Sequence, residues 1–329
     1  VKKRLGNLEL MRIIAALFII LNHIDIENEL LNQSHIAIFN ANLVSFFHLG
    51  GKFGTNIFVL LGGWFIYNKP LKINRIFRLY VDVIIYGTIM YLVAVICRGE
   101  LIGIKELIHS YTYWFPFAYA VMLFAAPAVF KVSQNHCVLK NIVIIGACLF
   151  TVITVMSAVI ENHILTLFLR ETIIGPIWFI YVLFVVNYLH AREFKSESSK
   201  PIFYLILWCV SYFSMYAFVV FCDFSEIRDM YSPLCFIASF SAFCFFSSIN
   251  IRMTKVIEII AMSSFGTYLI QCNNNMWLIW NKEVFKYTSY ASTPLFIIVV
   301  MASVLLYFIL SMIVVVLKKH FLACYKKSK

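Results

Sequence analysis

The chain reads as an all-α, polytopic integral membrane bundle of about ten transmembrane helices with both termini cytoplasmic. Three observations predict this. Of its 329 residues, 62% are hydrophobic and only 13% are charged, against roughly 25% charged in a soluble domain. Mean hydropathy is +0.87. Apolar runs near the spanning length of about 20 residues recur from end to end. A transmembrane barrel would show short alternating segments instead. No polar stretch is long enough to build a core of its own, so residues 1–329 are expected to form one membrane-embedded domain with no separate soluble domain.

The expected spans are 8–26, 53–67, 79–97, 113–130, 141–160, 173–189, 202–222, 231–249, 256–280 and 294–317. The first, LELMRIIAALFIILNHI, follows Lys2, Lys3 and Arg4 as in a signal peptide. No small-residue cleavage site closes it, so it reads as an uncleaved span. The second is short, and Gly62-Gly63 interrupts it. The third follows a basic loop, NKPLKINRIFR. The fourth opens on Tyr113-Trp114-Phe115 and the sixth on Gly175-Pro176 with Trp178-Phe179, aromatics of the membrane-interface kind. Pro116, Pro127 and Pro176 kink or start the helices that hold them. The fifth, seventh, eighth and tenth are long apolar runs. In the ninth, Gln271, Asn273, Asn274 and Asn275 bring four amides to membrane depth, where they need partners or the run breaks.

Positive charge sets the orientation. With a cytoplasmic N-terminus, the inside segments hold 19 lysines and arginines and the outside segments hold 7, with Arg12 left within the membrane. Positive-inside bias therefore places both termini in the cytoplasm. The longest outside loop, residues 27–52, is polar, carries His35 and His48, and is expected to form a lid or a substrate-facing surface. The net charge of +11 is scattered over short loops and the C-terminal tail, which suits membrane lipids and excludes nucleic acid as a partner. Nine cysteines form no CxxC pair and no cluster with metal-ligand spacing. Most, including Cys97, Cys148, Cys209, Cys235 and Cys244, read as small apolar packing residues.

Arg12 and His23 are the first candidates for chemistry. An arginine at the bilayer centre costs from about 3 to more than 10 kcal/mol, so intramembrane ionisable residues are functional candidates. Eleven helical steps of about 100° return to within about 20° of the start, so both share one helix face, roughly 16 Å apart along the axis. His23 suits general-base work at neutral pH, or it caps the helix. Asp25 is a weak candidate partner for it. Glu9, three residues before Arg12, is placed to pair with it. Arg75 and Arg78 put two guanidiniums one helical turn apart, a phosphate-binding fork or a topology signal. His109, His136, His163, His190 and His320 read as solvated or interfacial.

Five segments in order resemble the type 3 membrane acyltransferase family, which includes bacterial polysaccharide O-acetyltransferases. They are Glu9, Arg12 and His23 in the first run; GTNIFVLLGGWFIY at 54–67; Arg75-Ile-Phe-Arg78-Leu-Tyr80; the Trp-Phe segment at 113–130; and SSFGTYLIQ at 263–271. The chain departs from the family pattern at Gly62, at Val81 and at Gln271, where many members carry a second histidine. The resemblance implies transfer of an acyl group, usually acetyl, from cytoplasmic acyl-CoA to a hydroxyl of a carbohydrate or lipid-linked glycan in the bacterial cell envelope. His23 is then the catalytic base, or the site of a transient acyl-histidine. Arg12, Arg75 and Arg78 bind the acyl donor, and Glu9, Trp114, Tyr268 and Gln271 support the site. Acetyl-CoA is a co-substrate, no resident cofactor or metal is implied, and proteins of polysaccharide synthesis are candidate partners. Two readings stand beside this one. One is a transporter or exporter of a glycan or its precursor. The other is an assembly subunit whose intramembrane polar residues are structural.

Overall fold

A computed structural model of the chain describes residues 5–24, 30–31, 35–99, 103–159, 170–192 and 200–327. Asp25 and His163 lie outside the described residues. The described chain is helical, with no strand among these residues. The helices are α1 (Gly6–Asn22), α2 (Ile38–His48), α3 (Gly50–Ile66), α4 (Ile73–Arg98), α5 (Ile104–His109), α6 (Trp114–Ser133) and α7 (His136–Val159). They continue with α8 (Gly175–Ala191), α9 (Pro201–Cys222), α10 (Pro233–Ser248), α11 (Lys255–Gln271), the single turn α12 (Tyr287–Tyr290) and α13 (Leu295–Lys327).

Eight helical segments among the described residues are long and apolar enough to cross a membrane. The chain is therefore an integral membrane protein. The first and ninth expected spans correspond to α1 and α11, which are shorter, at 17 residues each. The ninth expected span, 256–280, breaks after Gln271, because Asn273–Asn275 turn the backbone before a π-helical turn at Ile279–Val284.

Three other expectations change. Residues 27–52 are not a loop throughout, since Ile38–His48 is helical and runs almost directly into α3. Its sequence, IFNANLVSFFH, has enough apolar and aromatic residues to bury a face, including Val44. Gly62-Gly63 does not interrupt α3; a Cβ on Gly62 would lie 2.7 Å from the Tyr119 ring, so the glycine admits that ring. α4 starts at Ile73, so Arg75 and Arg78 stand on its first turns and not in a loop.

The chain divides into two compact units: residues 1–51, 82–112 and 251–329, and residues 52–81 and 113–250. In the first, α1 packs on α11, and α11 on α13. Met11, Ala15, Ala16, Ile19 and Ile20 make the buried side of α1, where the alanines let a neighbouring backbone come close. A Cβ on Gly266 of α11 would stand 2.2 Å from the Tyr86 hydroxyl and 2.4 Å from Ser311 Oγ. That space holds a relay: Tyr86 Oη bonds Ser311 Oγ at 3.1 Å, and Ser311 Oγ donates to Ser263 O at 2.7 Å.

The amide run of this unit ties down a distant segment. Asn273 Nδ2 donates to Ser110 O, Asn275 Nδ2 to Glu106 O at 2.6 Å and Ser110 Oγ at 2.7 Å, and Asn274 Nδ2 to Thr112 Oγ1 at 2.9 Å. Buried backbone polar groups that leave a helix need such partners where water is scarce.

In the second unit α9 packs on α10, and α8 on α6 and α7. Its centre is a buried amide. Asn56 Oδ1 accepts from Trp178 Nε1 at 2.8 Å, and Asn56 Nδ2 donates to Met230 O at 2.7 Å. Trp178 is 2% exposed, so it is a core residue and not an interfacial aromatic. Pro176 sits in the first turn of α8, where its missing N–H costs nothing, while Pro127 lies inside the continuous α6. Cys235 and Cys244 are buried as expected, but Cys97, Cys148 and Cys209 are exposed.

Candidate active site

Within the first unit, α1 carries Glu9 and Arg12 toward its start and His23 at its C-cap. Helical rise separates Arg12 from His23 by about 16 Å. Glu9 is 4% exposed, and its Oε2 meets the Arg12 guanidinium at 2.5 Å. A buried carboxylate needs such a cation, and the cation in turn is held in place by it.

His23 ends the helix. Its backbone N–H donates to Ile20 O at 3.0 Å, and its Nδ1 stands 2.7 Å from Ile19 O. A carbonyl has no proton to give, so Nδ1 is the donor. In the neutral ring this leaves the lone pair on Nε2. The half-buried side chain is thus anchored through one nitrogen and basic at the other.

Gln271 comes to the same end of α1. It is the last residue of α11, 4% exposed, and its Nε2 donates to Ile20 O at 2.8 Å. Its Oε1 is buried without a hydrogen-bond partner among the described residues. Tyr268, one turn earlier and half-buried, faces the Phe265 ring at 6.3 Å. The structure therefore gathers His23 and Gln271 at one helix end and pairs Glu9 with Arg12 toward the other.

Arg75, Arg78 and Trp114 belong to the second unit. Arg75 is half-buried and lines a shallow crevice with Lys69, Lys72, Leu123 and Ala126. Arg78 is exposed. Both stand at the N-terminal end of α4, where the helix dipole disfavours cations by about 0.3–1 kcal/mol each and favours a bound anion. Trp114 opens α6 and carries the Lys52 ammonium 4.3 Å above its ring.

A family model for an acyltransferase domain matches residues 5–317, from the start of α1 to within α13. The chain belongs to the type 3 acyltransferase family. No curated protein and no solved structure gives a match. As a type 3 acyltransferase the protein is an acyl-transferring enzyme built on membrane helices.

Sequence reasoning misses two features of this acyltransferase. His190 reads as interfacial from its place at a span end, but its ring is stacked between Trp64 and Tyr67 at centroid distances of 3.9 and 3.8 Å. The Asn56–Trp178 bond joins residues 122 positions apart. An amide at the head of an apolar run, as Asn56 is before IFVLL, is the available signal for the second.

Proposed function

We propose that this acyltransferase moves an acyl group, in the first instance acetyl, from cytoplasmic acyl-CoA to a hydroxyl of a cell-envelope or exported polysaccharide. The setting is a bacterial cytoplasmic membrane, with both termini of the chain on the inner side. His23 is the general base. The observation that carries this is the Nδ1 bond to Ile19 O, which points the proton-accepting role to Nε2. In the reaction Nε2 takes the proton of the acceptor hydroxyl as its oxygen attacks the thioester carbonyl. The C–S bond breaks, the ester forms, and the imidazolium returns the proton to the departing CoA thiolate.

Arg12, Arg75 and Arg78 are assigned to the donor's phosphates. The paired guanidiniums at the start of α4 suit a diphosphate, and the helix end adds to their field. Arg12 stays oriented by Glu9. Gln271 holds the last turn of α1 through Ile20 O and so fixes the backbone from which His23 projects. Trp114 and Tyr268 are supporting aromatics of the same machinery.

The test uses purified protein in liposomes with labelled acetyl-CoA and a soluble or lipid-linked glycan. Label bound covalently to the glycan, and lost in a His23→Ala variant of normal abundance, is the expected result. Movement of the glycan across the bilayer without covalent label would replace this reading with a transporter.

A further inference from the structure

In the first unit, α4, α11 and α13 enclose a cleft of about 190 Å³. A single water needs only about 10–15 Å³ of such space, so the cleft is sized for a larger group. Its apolar lining includes Met262, Phe265 and Val315. Its charged lining is Asp82, Lys318 and Lys319.

The depth of these charges follows from α13. From Leu295 to Leu317 its sequence is apolar but for Ser303 and Ser311. At about 1.5 Å per residue that run is roughly 34 Å long, close to the roughly 30 Å of a hydrocarbon core. Lys318 and Lys319 come directly after it, at the level where acyl chains give way to headgroups. Asp82 likewise precedes the apolar stretch of α4 that begins at Val83.

The charges do not cancel. Asp82 Oδ1 accepts a hydrogen bond from Lys318 Nζ, and the two side chains are 29% and 34% exposed. An ammonium has three protons, so this bond leaves two for another acceptor. Lys319 is exposed and forms no ion pair among the described residues. The cleft therefore carries one excess positive charge together with apolar lining.

We propose that this cleft binds the phosphate of an anionic phospholipid, with the headgroup on Lys318 and Lys319 and the upper part of an acyl chain against Phe265, Met262 and Val315. A soluble phosphate would use the two ammoniums but not the apolar lining. A neutral lipid would use the apolar lining but not the excess charge. Asp82 holds the Lys318 ammonium at the cleft through their hydrogen bond. None of the residues assigned to acyl transfer lines the cleft, although Phe265 stacks on the supporting Tyr268, and the proposal does not depend on their roles.

The test compares purified protein in nanodiscs of phosphatidylcholine alone with nanodiscs containing phosphatidylglycerol. Bound lipid is read by native mass spectrometry and the melting temperature by tryptophan fluorescence. Wild type is expected to retain phosphatidylglycerol and to melt higher in its presence. Each lysine at an anionic surface is worth about fivefold in binding, so Lys319→Gln should lower retention about fivefold and Lys318→Gln with Lys319→Gln further. Lys319→Arg should retain wild-type binding, and Lys255→Gln, a lysine outside the cleft, should change little. Equal retention by wild type and the double variant overturns the proposal, as does an equal loss in Lys255→Gln. Equal protection by glycerol phosphate in phosphatidylcholine discs would make this a site for soluble phosphates and overturn the lipid assignment. If the double variant melts low in phosphatidylcholine alone, the single Lys319→Gln change, at an exposed side chain, decides the matter.

Discussion

His23→Asn and His23→Ala separate chemistry from architecture. His23 Nδ1 donates to Ile19 O at 2.7 Å, a bond that helps to anchor the ring. Such a bond contributes about 1 kcal/mol net. Against a typical stability of roughly 5–15 kcal/mol, its loss leaves nearly all molecules folded. A general base contributes about 10²–10⁴ in rate, or about 2.7–5.5 kcal/mol of barrier. The two effects differ enough to be told apart. An asparagine amide can replace Nδ1 as donor to Ile19 O but offers no base. His23→Asn should therefore lower label transfer from acetyl-CoA by at least about 100-fold with an unchanged melting temperature. His23→Ala should show the same loss of transfer and melt lower by no more than about 2–4 °C. Transfer by His23→Asn within tenfold of wild type would remove His23 from the chemistry. A loss of activity that follows the unfolded fraction in both variants would make its role structural.

The remaining predictions concern other sites. Arg75→Ala with Arg78→Ala should raise the KM for acyl-CoA at least tenfold with kcat largely kept, measured by steady-state transfer at saturating glycan. Asn56→Ala leaves the buried Trp178 Nε1 and Met230 O without their partner, and each such group costs about 1–3 kcal/mol. That variant should melt well below wild type in detergent, and Trp178→Phe with Asn56→Leu should recover part of the loss. Gly266→Ala forces a methyl against the Tyr86 hydroxyl and Ser311 Oγ. Overpacking of about 1–3 kcal/mol is expected, seen as a lower melting temperature that Tyr86→Ala partly relieves.

Local signals are legible where partners are close in sequence. Glu9 and Arg12, three residues apart, form the expected ion pair. The Asn273–Asn275 run reads as amides that need partners or break the helix, and it does both. What escapes is long-range. Gln271 reaches Ile20 across 251 positions, and the partners of Asn56 lie 122 and 174 positions away. Local periodicity carries no trace of such a bond. Trp178 reads as interfacial because tryptophan near a span end usually is; a single buried acceptor on another helix overrides that tendency. Ile38–His48 is hidden in the sequence because polar residues on both sides of it mask an eleven-residue apolar helix. The basic segment at Arg75 and Arg78 looks like a loop because its cations hide the helical start at Ile73.

The Lys318–Asp82 pair has a mechanical consequence. α13 has 33 residues, about 50 Å of helix, far more than a bilayer core needs. A uniformly apolar rod of that length can slip along its axis as membrane thickness changes, since one apolar turn replaces another at little cost. The pair joins α13 to α4 near one end of the apolar run, and the Ser311 bond to Ser263 O joins it to α11 two turns away. Two specific bonds at different heights fix the vertical register of the rod. In thicker or thinner membranes the helix then keeps its place, and the lipid around it must stretch or compress.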